Sequence, residues 1–162
     1  MKIILFFFVC LFVNGQTKKD FKRYEQNLLK QNIINKTFIY GKCNENDGTE
    51  THLTYLGKVK TKDGVLYKIM TSIWYWGSRR ATSRILIFNN KNKYYGSYSL
   101  GMTYEIPDEL KNGNLIYYFD RKDDCKEISK TTINLNNGLP KEIFIKCKDG
   151  MGDIYSLEIE IK

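Results

Sequence analysis

The sequence predicts a mainly β protein: an antiparallel meander of about nine or ten strands, closing as a barrel or a sandwich, preceded by one short N-terminal amphipathic helix. Three observations support this fold class. Short apolar segments recur after residue 36, and polar turn clusters separate them. No helical pattern in this part is long enough to connect parallel strands. Alternation is clearest near the C-terminus, where Tyr155, Leu157 and Ile159 share one face of a predicted strand.

Residues 1–15 have the features of a secretory signal peptide. Lys2 supplies a positive charge, and residues 3–13 form an apolar run. A membrane-spanning helix needs roughly 20 apolar residues, so this run is too short to cross a bilayer. The small residues at its end predict cleavage between Gly15 and Gln16, and export to the periplasm or the cell exterior. The alternative is that the run is a buried N-terminal strand or helix.

The remaining residues, 16–162, are few enough to form a single β-rich domain. Its first segment, at about 18–34, has Phe21, Tyr24 and Leu28 at helical spacing, which predicts the amphipathic helix. The chain has no second apolar run of membrane-spanning length, so we expect no transmembrane segment in the mature protein.

Turn signals divide the rest of the chain into strands. Asp63-Gly64 is a strong hairpin signal, and the polar residues 89–93 supply a second hairpin loop. A third hairpin is expected at residues 136–140. The predicted strands span residues 36–42, 49–60, 65–76, 84–88, 94–100, 102–106, 114–120, 127–135, 141–147 and 154–161.

The chain is basic, with a formal net charge of +8 that becomes +7 when Lys2 leaves with the signal peptide. A charge of this sign favours anionic partners. Most of the positive excess comes from lysines that are scattered among Asn, Ile, Tyr and Phe. AT-rich codons encode all of these residues, so the base composition of the genome explains much of the lysine excess. The alternative to an anionic partner is therefore a basic surface without a dedicated ligand. Export makes nucleic acid a poor partner, and we predict none.

Three cysteines remain after cleavage, in a compartment that permits disulfides. An odd number allows one intramolecular bridge. If the chain turns near residues 136–137, Cys125 and Cys147 face each other across two strands, close to disulfide range. Cys125–Cys147 is therefore the candidate pair. Pairing of Cys43 with either of them, or no bridge at all, are the alternatives.

The most distinctive segment, residues 74–80, contains both tryptophans of the chain. Aromatic rings stack on sugars, apolar ligands or cations, and arginine binds carboxylate, sulfate or phosphate through two hydrogen bonds. The alternative buries the tryptophans in the core, leaves the arginines in a solvated turn and explains most tyrosines by packing in strands. The candidate ligand-binding residues are Trp74, Trp76, Arg79, Arg80, Tyr94 and Tyr98.

The sequence contains no recognisable catalytic or cofactor motif. His52 is the only histidine, which excludes sites that need two histidine ligands, and we interpret it as an ordinary strand residue. The acidic clusters near residues 45–50 and 120–127 do not fit a calcium-binding loop. The usual motifs of hydrolases, nucleotide-binding proteins and redox proteins are absent. We therefore predict no catalytic residue, no metal and no cofactor.

The leading hypothesis is an exported, non-enzymatic binding domain for a small molecule, a glycan or a protein. The first alternative is a periplasmic or secreted protein-interaction module, such as an immunity-type inhibitor, and the second is a hydrolase. An internal cavity would favour the ligand binder, whereas an exposed flat apolar patch would favour the interaction module. A deep pocket with two convergent carboxylates, or His52 beside Cys43, would favour the hydrolase.

Overall fold

The computed structural model describes residues 9–44, 47–121, 125–146 and 151–160. The chain divides into two compact units, residues 1–33 and residues 34–162. The first unit contains helix α1 (Val9–Gln31), which covers most of the predicted helix but begins inside the predicted signal peptide.

The C-terminal end of α1 has a local cause. Asn32, with φ of 55°, adopts the left-handed conformation that commonly ends helices, and its backbone N–H donates to the Leu28 carbonyl at 3.0 Å. In the described part of the chain, no helix combines the length and the hydrophobicity needed to cross a bilayer.

The described residues of the second unit form ten strands in two antiparallel sheets, so the predicted mainly β fold is confirmed. The strands are β1 (Thr37–Cys43), β2 (Gly48–Lys60), β3 (Leu66–Trp76), β4 (Arg80–Asn89), β5 (Tyr94–Leu100), β6 (Glu109–Lys111), β7 (Asn114–Arg121), β8 (Cys125–Asn134), β9 (Glu142–Lys146) and β10 (Gly152–Ile159). The larger sheet has the order β1-β2-β3-β4-β5-β10-β9, and the smaller one the order β6-β7-β8.

The two predicted hairpins with clear turn chemistry are confirmed. Between β2 and β3, the Thr61 N–H donates to the Val65 carbonyl at 2.9 Å, and Gly64 has the positive φ, 82°, that such a turn requires. Between β4 and β5, the Asn89 N–H donates to the Lys93 carbonyl at 2.8 Å. A simple meander therefore runs from β1 to β5.

The predicted hairpin at residues 136–140 is wrong, because β8 lies in the smaller sheet and β9 in the larger one. Backbone hydrogen bonds tie the start of this segment to two other turns. The Leu135 N–H donates to the Gly113 carbonyl at 2.8 Å, and the Asn136 carbonyl accepts from Lys62 at 2.7 Å. The segment therefore crosses from one sheet to the other instead of reversing between neighbouring strands.

This topology removes the reason for pairing Cys125 with Cys147, since β8, which begins at Cys125, and β9, which ends at Lys146, are not neighbours in a sheet. Cys147 lies outside the described residues, so the pair itself stays a prediction. Among the described residues, Cys43 is a free and buried thiol, and its pairing with Cys125 or Cys147 stays an alternative.

The predicted strand at residues 102–106 is also wrong, because Thr103–Glu105 forms a 3-10 turn. The buried Glu105 carboxylate explains the turn: it accepts hydrogen bonds from the Met102 N–H at 2.6 Å and from the Tyr155 hydroxyl at 2.7 Å. The chain then forms the short strand β6, within residues 108–113, which the sequence predicts to be a turn between two strands.

One hydrophobic core joins residues of both sheets. Its buried members are Leu56, Val59, Ile69, Ile85, Ile87, Tyr98, Leu100, Leu115, Tyr117, Ile133, Leu135, Ile143 and Ile145. In β10, Tyr155 and Leu157 pack against this core, whereas Ile159 is exposed. The face of the larger sheet that carries these core residues also carries His52, and we call it the histidine face.

Candidate functional site

The opposite face of the larger sheet carries both tryptophans. Side chains alternate between the two faces of a strand, so Trp74 and Trp76 of β3 share one face and Tyr75 lies on the other. Their cross-strand partners in β4 are Thr82, opposite Trp74, and Arg80, opposite Trp76. We call the surface formed by Trp74, Trp76, Arg80 and Arg84 the tryptophan face.

The two indole rings of the tryptophan face stack on each other. Their centroids are 4.8 Å apart and their planes are inclined by 24°. Trp76 is half-buried, but Trp74 keeps 42% of its surface exposed. The stacked pair therefore still leaves aromatic surface of Trp74 accessible to a ligand.

Basic side chains surround this stack. Arg80 is directly opposite Trp76. Arg84 is opposite Ser72, which is two residues from Trp74 along β3, so Arg84 lies on the same face as Trp74. Cross-strand neighbours have Cβ atoms about 5 Å apart, and diagonal neighbours remain within reach of long side chains. Both arginines are exposed.

The exposure of Trp74 bears on the alternative interpretation, in which both tryptophans are buried in the core. Because 42% of its surface is exposed, that interpretation does not hold for Trp74.

Arg79 differs from Arg80 although the two are adjacent in sequence. It lies in the turn between β3 and β4, where φ of 60° at Arg79 and the hydrogen bond from its N–H to the Gly77 carbonyl, 2.8 Å, shape the reversal. The charge of Arg79 acts on Glu50, whose side chain belongs to the histidine face. The structure thus separates two arginines that the sequence groups together.

The two candidate tyrosines lie away from the tryptophans. Tyr98 is 1% exposed within the hydrophobic core, where its hydroxyl donates to the Pro140 carbonyl at 2.6 Å. Tyr94 is half-buried at the start of β5, where its hydroxyl donates to Ser97 at 2.9 Å and its ring meets Phe88 edge-on. The described structure does not bring Tyr94 or Tyr98 into the tryptophan face.

The histidine face contains a side-chain pair that sequence reasoning treated as unremarkable. His52 Nε2 lies 2.6 Å from Glu50 Oε1, and Tyr75 meets the imidazole edge-on with 5.1 Å between centroids. The hydrogen bond to His52 holds the pKa of the Glu50 carboxyl below its ordinary value, assisted by the Cys43 N–H and by the charges of His52 and Arg79. Glu50 is therefore a charged carboxylate that fixes the imidazole.

His52 also lines a pocket of about 320 Å³ in the second unit. The floor is the histidine face, and the rest of the wall comes from Asn35, just before β1, from the segment 103–108 and from β7. Hydroxyl, amide, imidazole and carboxyl groups line the pocket together with aliphatic side chains. The lining residues are Asn35, Thr37, His52, Thr54, Leu56, Thr71, Ile73, Thr103, Tyr104, Ile106, Pro107, Asp108 and Tyr118.

Cys43 and His52 do not form a thiol–imidazole pair for nucleophilic catalysis. Cys43 pairs with Gly48, four residues from His52 along β2, which corresponds to about 14 Å at about 3.4 Å per residue. The Cys43 thiol instead donates to the Gly77 carbonyl at 3.5 Å. Among the described residues, no cluster of three or more His, Cys, Asp or Glu side chains is arranged to hold a metal ion.

No protein-family model, curated protein or solved structure matches this chain. The choice of function therefore rests on the two faces of the larger sheet.

Sequence reasoning missed the pocket because its parts are far apart in the chain. His52 and Thr54 belong to β2, whereas Asp108 and Tyr118 come more than fifty residues later. The only local signal is the alternation of polar residues, which an ordinary solvent-exposed strand also shows.

Proposed function

We propose that this protein is an exported, non-enzymatic binding domain that holds an acidic carbohydrate on the tryptophan face. The observation that carries this proposal is the stacked pair Trp74–Trp76 with Arg80 opposite Trp76 and Arg84 close by. An indole face suits the C–H surface of a sugar ring, and a guanidinium suits a carboxylate or sulfate on that ring. The net charge of +8 adds a long-range attraction for anionic ligands.

The test compares sugars that differ in charge. Nuclear magnetic resonance titration with glucuronate and with glucose should shift the amide signals of Trp74, Trp76 and Arg80, with the tighter binding for glucuronate. Trp76→Ala should weaken the binding of glucuronate about tenfold, which corresponds to about 1.4 kcal/mol. Arg80→Gln should remove the preference for glucuronate over glucose, because the charge that selects the carboxylate is lost.

Arg79→Gln is the matched control for Arg80→Gln, since it removes the same charge from the adjacent position. The proposal expects a smaller effect at Arg79, whose charge acts on Glu50. Phe144→Ala serves as the aromatic control, because Phe144 is 45% exposed on the edge strand β9. Equal losses for Arg79→Gln and Arg80→Gln would contradict a binding site on this face. So would unchanged binding in Trp76→Ala.

The export part of the proposal rests on the sequence of residues 1–15. Expression of the full chain in a Gram-negative host should yield a periplasmic or secreted protein whose first residue is Gln16. Recovery of the uncleaved chain from the cytoplasm would contradict export.

For the fold, we propose that the two sheets pack as a sandwich. The shared core supports this, since Ile85 and Tyr98 of the larger sheet and Leu115 and Ile133 of the smaller one belong to the same cluster.

A protein-interaction module is the second candidate, because one edge of the larger sheet carries exposed apolar side chains. Phe144 of β9 pairs with Ile154 of β10, and they are 45% and 63% exposed. The stacked tryptophans with Arg80 beside them favour the carbohydrate binder instead. A stable complex with another protein that Phe144→Ala disrupts and Trp76→Ala leaves intact would favour the second candidate.

A further inference from the structure

The pocket on the histidine face differs in chemistry from the tryptophan face. Four threonines line it, and the Thr37 and Thr54 hydroxyls are 2.8 Å apart. Leu56 and Ile73 supply apolar surface between these polar groups. Walls that combine a few placed hydrogen-bonding groups with apolar surface are typical of small-molecule sites. At about 320 Å³, the pocket is at the small end of such sites and suits a ligand the size of a single sugar ring.

The charges at this pocket are mainly negative, although the whole chain is basic. Asp108 lies in the wall, and one of its oxygens accepts the Tyr118 N–H at 2.7 Å. Glu109 accepts the Tyr118 hydroxyl at 2.8 Å, and this bond, with the charges of Glu109 and Asp108, raises the pKa of Tyr118. A raised tyrosine pKa is what nearby negative charge produces.

The Glu50 carboxylate, on the far side of His52, adds a third negative charge, which Arg79 offsets in part. Among the described lining residues there is no lysine or arginine. The nearest described cation at the Asp108 end is Lys130, which pairs with Tyr118 across β7 and β8 and has its Nζ 5.8 Å from the Tyr118 ring centroid. This one ammonium group faces two carboxylates, Asp108 and Glu109, so the local charge stays negative. Coulomb attraction therefore favours a cation at the Asp108 end of the pocket and disfavours an anion.

We propose that this pocket is a second binding site, for a small hydroxylated amine, whose ammonium group pairs with Asp108 and whose hydroxyls hydrogen-bond to the threonine-lined floor. Asp108 accepts from the ammonium group, and the Thr54 and Thr71 hydroxyls both donate and accept. This site is independent of the tryptophan face, because alternation places the two on opposite sides of the same sheet.

Glucosamine, glucose and glucuronate test the proposal, since they share one ring and differ in charge. In nuclear magnetic resonance titrations of the full chain, glucosamine should shift the amide signals of Thr54, Thr71 and Tyr118 with the highest affinity. Glucuronate should shift them least. This order of affinities is the reverse of the one expected from the amide signals of Trp74 and Trp76. The same titrations can therefore support one proposed site and contradict the other.

Asp108→Asn removes the charge but keeps an oxygen that accepts the Tyr118 N–H. It should weaken glucosamine about fivefold at the pocket and leave glucose nearly unchanged, because only the charged hydrogen bond is lost. Asp63→Asn, in the β2–β3 turn, is the matched control and should leave glucosamine binding unchanged. Thr54→Val should weaken both sugars, because it removes a hydroxyl without changing the shape.

Three results would overturn the proposal. The first is an absence of shifts at Thr54, Thr71 and Tyr118 with glucosamine. The second is tighter binding of glucuronate than of glucosamine at these residues. The third is an equal effect of Asp108→Asn and Asp63→Asn. The first two need only the unmodified protein, so the test does not depend on the folding of a variant.

Discussion

Removing one hydroxyl from the core tests whether Tyr98 is a structural residue. Tyr98 and Tyr55 are 1% and 0% exposed, but their hydroxyls differ. The Tyr98 hydroxyl donates to the Pro140 carbonyl at 2.6 Å, whereas the Tyr55 hydroxyl has no hydrogen-bond partner among the described residues. The same change, tyrosine to phenylalanine, therefore removes a hydrogen bond at one position and a buried, unpaired polar group at the other.

The expected free energies have opposite signs. Tyr98→Phe loses a buried hydrogen bond and leaves the Pro140 carbonyl without this donor, so the free energy of unfolding should fall by about 1.5 kcal/mol. Tyr55→Phe relieves the desolvation of an unpaired hydroxyl and should be neutral, or stabilise by up to about 1 kcal/mol. For a chain of this size, about 1.5 kcal/mol corresponds to a fall in Tm of about 5 °C.

The free energy of unfolding of both variants is measured by urea denaturation, monitored by circular dichroism. The dependence of this free energy on urea concentration should be the same in both variants, which checks that unfolding exposes the same surface. The hydrogen-bonding argument is refuted if the two variants lose equal stability, or if Tyr55→Phe loses more. Binding of glucuronate to the tryptophan face should be unchanged in Tyr98→Phe, because Tyr98 lies in the core. A loss of binding at unchanged stability would return Tyr98 to the ligand site.

Two further predictions concern the histidine face. The pKa of Glu50 is lowered in the folded state, so its pairing with His52 stabilises the fold above the ordinary carboxyl pKa, and this contribution is lost as pH falls through the lowered value. The stability advantage of the native protein over Glu50→Gln, measured by urea unfolding, should therefore shrink on acidification below about pH 4; an advantage independent of pH would contradict this. Ser83 is 1% exposed and its hydroxyl has no partner among the described residues, so Ser83→Ala should leave Tm unchanged or raise it.

Local chemistry made part of the fold predictable. The Asp63-Gly64 turn and the polar loop at residues 89–93 fix their hairpins by themselves, because glycine and asparagine adopt the required backbone conformations cheaply. The crossover after Leu135 was not predictable, since it depends on hydrogen bonds to Gly113 and Lys62, which are distant in sequence. The 3-10 turn likewise depends on the burial of Glu105 beneath Tyr155, a contact across fifty residues.

The candidate site divides in the same way. Residues 74–80 stood out because tryptophan and arginine are scarce and occur together there, and alternation alone predicts that Trp74 and Trp76 share a face. Sequence reasoning could not separate Arg79 from Arg80, because the turn conformation decides which face each side chain serves. It grouped Tyr94 and Tyr98 with the tryptophans by residue type, although the register places Tyr98 opposite Ile85 of the core.

A single irregularity in β2 explains why the pocket was hidden and how it is built. His52 and Val59 are seven residues apart, so in a regular strand they would point to opposite faces. The register shift between Tyr55 and Gly57 inserts Leu56 as an extra residue, and Gly57 accommodates it with φ of 128°. His52 and Thr54 therefore line the pocket on the same side of the sheet as Val59, which lies in the core, and Leu56 belongs to both. The bulge reverses the alternation of side chains between the two faces within one strand. A fixed period of two along β2 therefore cannot identify both its polar half, which lines the pocket, and its apolar half, which lies in the core.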